Sequence, residues 1–137
     1  MPEKVKVNGN IEEEKDVKQI AEAIGRLLNH EVSIKKGEGG YEDRYLLYPA
    51  GEKDDIAFII PKRDEKTGEY YYYTQLFFDV ISYLKREKDP ARQFLTLYSL
   101  KSAIVAILES HLKGFEITHS EVGAISFVFY IKKQSSA

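Results

Sequence analysis

The chain lacks cysteine and tryptophan, and its one methionine is the first residue. Without cysteine it can form neither a disulfide framework nor a thiolate zinc site, and it has no thiol nucleophile. No stretch approaches the ~20 consecutive apolar residues that a membrane-spanning helix needs. The first residues also lack the apolar segment of a secretory signal. We therefore expect a cytoplasmic protein that does not insert into a membrane.

Asparagine and glutamine are scarce, with three and four residues among 137, whereas lysine and glutamate are abundant. This bias is typical of proteins from high-temperature organisms. The formal net charge is −2, far from the strongly basic balance of most dedicated nucleic-acid-binding domains. The composition leaves nucleic acid open as a partner without favouring it.

The length and the 43% content of hydrophobic residues are those of one domain with its own core. No internal repeat, low-complexity linker or change of composition divides the chain. The sequence therefore predicts a single domain over residues 1–137.

An amphipathic helix is predicted near the start of the chain. Val17, Ile20 and Ile24 recur at helical spacing and form one apolar face. Asn10 stands where an N-cap is expected, and Glu13 three residues later completes a capping box. Residues Glu12–Glu14 suit the negatively charged first turn of a helix, and we expect them to act only in capping and solubility.

Four strands are predicted next, because short apolar and aromatic segments alternate with turn residues. The turn Glu65–Gly68 has the glycine of a hairpin at its end. The predicted strands are Glu31–Lys36, Arg44–Tyr48, Ile56–Ile60 and Tyr70–Tyr73.

Two helices and two strands are predicted to complete the chain. Thr74 can cap a helix that begins at Gln75, and the pair Asp89 and Pro90 is a typical start for a second, long helix. The last two strands are predicted at Phe115–His119 and Ala124–Lys132. Strands joined by hairpins rather than by helices favour an antiparallel sheet. The predicted fold is α+β in the order α-β-β-β-β-α-α-β-β, with five to six strands and the helices on one side.

No catalytic motif is found. The chain has no nucleophile elbow, phosphate-binding loop or dinucleotide-binding glycine pattern. Of its histidines, His111 and His119 could meet if the last strands returned beside the long helix, but they lack the spacing of a metal site. We predict no cofactor and no metal, and whether scattered carboxylates form an enzymatic site stays open.

Four consecutive tyrosines follow the predicted hairpin turn. Alternation along a strand places them in pairs on opposite faces, so one pair can enter the core while the other stays outside. We assign the outward position to Tyr70 and Tyr72, which together with Lys62 and Arg63 form a predicted binding surface. Exposed aromatic rings flanked by cations can stack on bases, although cross-strand packing alone also explains tyrosine in a sheet.

The long helix carries apolar residues on nearly its whole circumference, which predicts burial on most sides. A second subunit would supply the missing cover, so we expect a homodimer. The predicted contact is a seam of small residues at Thr96, Ser99, Ala103, Ala106 and Ser110. The function expected from these observations is partner binding without catalysis, with nucleic-acid binding or processing through the tyrosine-rich hairpin as the alternative.

Overall fold

The computed structural model describes residues 11–79, 85–86 and 88–134. These residues form two helices and six strands, and they confirm the predicted α+β class. The helices are α1 (Ile11–Leu28) and α2 (Pro90–His111). The strands are β1 (Val32–Lys36), β2 (Tyr45–Pro49), β3 (Ala57–Arg63), β4 (Tyr70–Phe77), β5 (Phe115–Val122) and β6 (Ser126–Lys133).

The six strands form one antiparallel sheet in the order β1-β2-β3-β4-β6-β5. Helix α1 packs on β1, β2 and β3, helix α2 packs on β5, and the two helices contact each other. Both therefore lie on the same face, which we call the helix face. The opposite face is the open face, because no helix packs on it among the residues that the structure describes.

Helix α1 ends in a turn that depends on Gly25 and Asn29. Asn29 has a left-handed conformation with φ of 55°, and the amide of His30 donates to the carbonyl of Gly25 at 2.9 Å. This bond is typical of a Schellman motif. A Cβ atom at Gly25 would lie 2.8 Å from the carbonyl oxygen of His30, so the glycine permits the close approach that its position inside the helix suggests. The predicted cap Asn10 lies outside the described residues.

Strand β4 is longer than the sequence suggests. Thr74 and Gln75, where a helix was predicted to begin, instead continue the strand to Phe77. They pair with Ile59 and Phe58 of β3 on one side and with β6 on the other. Hydrogen bonds from two neighbours outweigh the local capping signal, since propensity is a weak guide where tertiary pairing is available. The rest of that predicted helix falls mostly on residues 80–84 and 87, outside the described part.

Helix α2 begins as predicted. The side chain of Asp89 accepts a hydrogen bond from the amide of Ala91 at 3.0 Å, and Pro90 occupies the first turn. The helix ends at His111, and Gly114 follows with φ of 83°. Within the described residues, neither helix has both the length and the apolar content that crossing a membrane requires.

The hydrophobic core lies between the helix face and the two helices. It includes Ile24, which helical spacing also places inside, together with Ile104 and Phe127. Tyr45 and Tyr72 belong to it as well, so two tyrosines bring hydroxyl groups into an apolar environment. A buried hydroxyl needs a hydrogen-bond partner, and α1 provides one for each.

Candidate interaction surfaces

The hairpin that joins β3 to β4 is built as its turn residues suggest. The carboxylate of Asp64 accepts hydrogen bonds from the amides of Lys66 and Thr67, at 2.8 and 3.2 Å. Gly68 has φ of 74°, a conformation that glycine adopts without strain. This turn fixes the register in which Lys62 lies opposite Tyr71 and Arg63 opposite Tyr70.

The pairs of tyrosines face opposite to the prediction. Tyr72 lies between Pro61 and Ile131 on the helix face and has no solvent exposure. Tyr70 is on the same face and half-buried, while Tyr71 and Tyr73 point to the open face. The prediction that Tyr72 is exposed is therefore wrong. Alternation predicts two pairs but not which pair enters the core, because a shift of one residue exchanges them.

The two predicted cations lie on different faces. Lys62 shares the open face with its neighbour Tyr71. Arg63 is on the helix face, where its guanidinium lies 5.2 Å from the ring centre of Tyr70 and donates to the carbonyl of Gly68 at 3.1 Å. The structure thus divides the predicted set into Lys62 on one side and Arg63, Tyr70 and Tyr72 on the other.

Two tyrosine–carboxylate pairs join α1 to the sheet. The hydroxyl of Tyr45 donates to Glu13 at 3.0 Å, and that of Tyr72 donates to Asp16 at 2.5 Å. Both carboxylates are almost completely buried, with 4% exposure each. The expectation that Glu12–Glu14 act only in capping and solubility is therefore wrong for Glu13. The sequence contained a signal for this burial. Glu13 and Asp16 are spaced so that they share one face of the helix with the apolar Val17 and Ile20.

Lys133 completes this polar cluster. Its ammonium lies 3.2 Å from Oδ2 of Asp16, the same oxygen that accepts from Tyr72, and it also bonds Glu12. Partial burial lowers the pKa of Lys133, but the bonds to the two carboxylates outweigh it and the net shift is upward. Burial raises the pKa of Glu13, and the bond from Tyr45 only partly opposes that shift. These hydrogen bonds and ion pairs attach α1 to the sheet, so the cluster stabilises the fold.

The predicted seam of α2 lies on its outer surface. Thr96 is half-buried, and Ser99, Ala103, Ala106 and Ser110 are exposed. Large apolar residues accompany them: Phe94 is 67% and Leu95 62% exposed. We define the outer face of α2 as the following eight residues: Phe94, Leu95, Tyr98, Ser99, Ser102, Ala103, Ala106 and Ile107.

The open face carries a cluster of aromatic rings. The ring centres of Phe58 and Tyr73 are 6.3 Å apart, those of Phe58 and Phe77 5.8 Å, and those of Tyr73 and Tyr130 5.3 Å. Tyr71 lies on the same face. We call Phe58, Tyr71, Tyr73, Phe77 and Tyr130 the aromatic patch. The sequence alone does not reveal this patch, because Tyr130 is distant from the other four residues along the chain. The register of β4 against β6 has to be known before Tyr130 can be placed beside Tyr73.

Comparisons with known protein families, curated proteins and solved structures find no match. The two surfaces must therefore be interpreted from their own chemistry.

The histidines do not form a common site. His119 is on the open face, where it bonds Glu121 at 2.9 Å and its ring contacts Tyr130. His111 ends α2, on the side of the helices. In the described ranges no group of three or more histidine, aspartate or glutamate side chains could hold a metal ion.

Proposed function

We propose that this protein acts by binding a protein partner, and that the partner is a second copy of the chain that contacts the outer face of α2. The observation that carries the proposal is the exposure of large apolar side chains on that face. Scattered exposed apolar residues are normal, but a contiguous patch is typical of an interaction site. Between Gln93 and Leu108 the helix has one charged residue, Lys101, and depletion of charge marks the centre of protein interfaces.

A second copy fits this face because its pattern is self-complementary. Leu95, Ser99, Ser102 and Ala106 recur at intervals of four, three and four residues, which places them on one stripe of a helix. In an antiparallel pair of such helices related by a two-fold axis, Leu95 of one copy lies opposite Ala106 of the other, and Ser99 lies opposite Ser102. A large residue thereby meets a small one at each end, as close packing requires, and the serines permit a close approach at the centre.

Two-fold symmetry is also the commonest arrangement of homo-oligomers. In such a dimer the same patch serves both copies, so one exposed helix face is sufficient. The proposal accounts for Phe94 and Tyr98 as well, whose rings are 5.9 Å apart on the flank of the stripe. Aromatic residues are enriched at interfaces.

Sedimentation velocity and light scattering test the dimer at protein concentrations from about 5 to about 200 µM. This range distinguishes a dimer with a low-micromolar dissociation constant from weaker association. The chain mass is 15.8 kDa, and we expect about twice that mass for the wild type. Leu95→Asp places an unpaired charge in the contact, so it should yield a folded monomer. Ile125→Asp is the matched control, because Ile125 is 60% exposed in the turn between β5 and β6 and lies outside the outer face of α2.

A monomeric wild type at the highest concentration would contradict the dimer. A dimer that persists in Leu95→Asp would show that association uses a different surface. Loss of the dimer in Leu95→Asp but not in Ile125→Asp is the result that supports α2 as the contact.

A further inference from the structure

The open face combines aromatic rings with cations at defined positions. Tyr71 of β4 is paired with Lys62 of β3 on one side and with Lys132 of β6 on the other. The three side chains therefore form one row across three neighbouring strands, with a lysine on each side of the ring. Neighbouring strands are about 4.8 Å apart, so both lysines are within reach of a ligand that contacts the tyrosine.

Tyr71 also separates two grooves. One groove is lined by Lys62 and Arg63 together with the acidic residues Asp43, Asp64 and Glu65. The other is lined by Tyr130 and Lys132 together with the acidic residues Asp64 and Glu69. Each groove thus has Tyr71 as one wall and contains one of the two lysines. An extended chain that crosses the row would meet a ring between two cations.

Further cations and rings continue the surface toward β2. The guanidinium of Arg44 lies 4.6 Å from the ring centre of Phe58 and bonds Asp43 at 2.9 Å. This bond lowers the pKa of Asp43. Lys132 has an ion-pair partner too, Glu69, at 3.2 Å, and both side chains are partly exposed. Exposed pairs of this kind contribute little to stability, so an anionic ligand can replace the carboxylate at small cost.

We infer that the open face binds single-stranded nucleic acid, with bases stacked on Tyr71 and Tyr130 and phosphates beside Lys62 and Lys132. Aromatic side chains stack on bases regardless of sequence, and cations along the same path neutralise the backbone. A duplex hides the flat surfaces of its bases, so a single strand is the form that suits a sheet with rings on it.

This function goes beyond the proposed dimer. The outer face of α2 and the open face lie on opposite sides of the sheet, because α2 packs against the helix face. A dimer through α2 would therefore not cover the open face of either copy. Each proposal can fail without the other.

The test is fluorescence anisotropy with the full chain and labelled 20-nucleotide probes, dT20 and rU20, at 50 and 200 mM salt. The two probes distinguish DNA from RNA as the ligand. We expect saturable binding whose affinity falls roughly ten-fold between the two salt concentrations, the change that about two to three phosphate contacts impose. Addition of unlabelled duplex of the same length should compete poorly.

Variants separate stacking from general attraction. Tyr71→Ala should weaken binding roughly 5- to 150-fold, the range that corresponds to loss of one stacked base, whereas Tyr71→Phe should retain it. Tyr41→Ala is the matched control, because Tyr41 is 57% exposed and lies outside both the aromatic patch and the outer face of α2. Lys62→Gln should reduce the dependence on salt, and Lys18→Gln, on the exposed side of α1, should not. Circular dichroism shows whether each variant folds, and Tyr71→Leu replaces Tyr71→Ala if alanine impairs folding.

Three results would overturn the inference. The first is that neither probe shows saturable binding at protein concentrations up to about 100 µM, which is the largest dissociation constant typical of non-specific binding. The second is binding that Lys62→Gln weakens but that Tyr71→Ala and Tyr71→Leu leave unchanged, since that pattern shows attraction without stacking. The third is a preference for duplex over single strand.

Discussion

Removal of the Tyr72 hydroxyl tests the polar contact between α1 and the sheet. In Tyr72→Phe the ring stays in its fully buried place, so no large cavity forms. The carboxylate of Asp16 loses a donor 2.5 Å away while it remains 4% exposed. A hydrogen bond to a charged group contributes about 1.5–3 kcal/mol, and Lys133 still faces this carboxylate. We therefore expect a loss of about 2 kcal/mol in the free energy of unfolding, which lowers Tm by about 4–10 °C for a chain of this length.

Urea-induced unfolding, followed by far-UV circular dichroism at pH 7, measures this loss. The protein concentration must be kept equal between variants, since association would add to the apparent stability. Tyr41→Phe is the control, because Tyr41 is 57% exposed and lies outside the outer face of α2, so removal of its hydroxyl should change the free energy by less than about 0.5 kcal/mol. A double-mutant cycle with Asp16→Asn should give a coupling energy of about 1–2 kcal/mol. A loss below about 0.5 kcal/mol in Tyr72→Phe would refute the reasoning.

Two further substitutions test α1. Burial raises the pKa of Glu13, so the folded state holds this proton more tightly than the unfolded state, and the resulting stability is full at low pH and lost as pH rises through the folded pKa. Glu13→Gln stays neutral at every pH, so at pH 7 it should unfold at a higher urea concentration than the wild type. Near pH 3.5, about one unit below the ordinary pKa of glutamate, this difference should disappear. A variant less stable than the wild type at pH 7 would contradict the prediction. Gly25→Ala should lower the free energy of unfolding by about 1–3 kcal/mol, because the added Cβ lies 2.8 Å from a backbone oxygen and the gain in helix propensity is only about 1 kcal/mol. Glu22→Ala, on the exposed side of the same helix, should change it little, and an equal loss in both variants would exclude the close contact as the cause.

Local patterns predict most of the fold. The Asp89 cap and the Gly68 turn each depend on neighbouring residues, and the structure confirms them. The end of β4 does not depend on its neighbours alone. Thr74 resembles a helix cap until β6 is placed beside it, and that pairing joins residues far apart in the sequence.

The surfaces were harder to predict than the elements. Which pair of tyrosines points to the open face depends on the register of β4, and the choice between Tyr71 and Tyr72 follows from which of them meets Asp16. Helix α2 was expected to be covered on most sides, whereas the described residues bury only its Ile104 and Leu108 within the helix. Hydrophobicity predicts that a surface will be covered, but it does not say whether the cover belongs to the same chain.

The strand order has a consequence for how the chain reaches its native state. Strands β1 to β4 pair in sequence and can form as they are synthesised, because their contacts are local. Strand β6 then has to join β4 across about 50 intervening residues, and closing so long a loop costs chain entropy before any contact repays it. Until that moment β4 presents an unpaired edge with Tyr72 and Leu76 beside it, which is the kind of edge that other chains join. The period between synthesis of β4 and arrival of β6 is therefore when this protein is most exposed to aggregation.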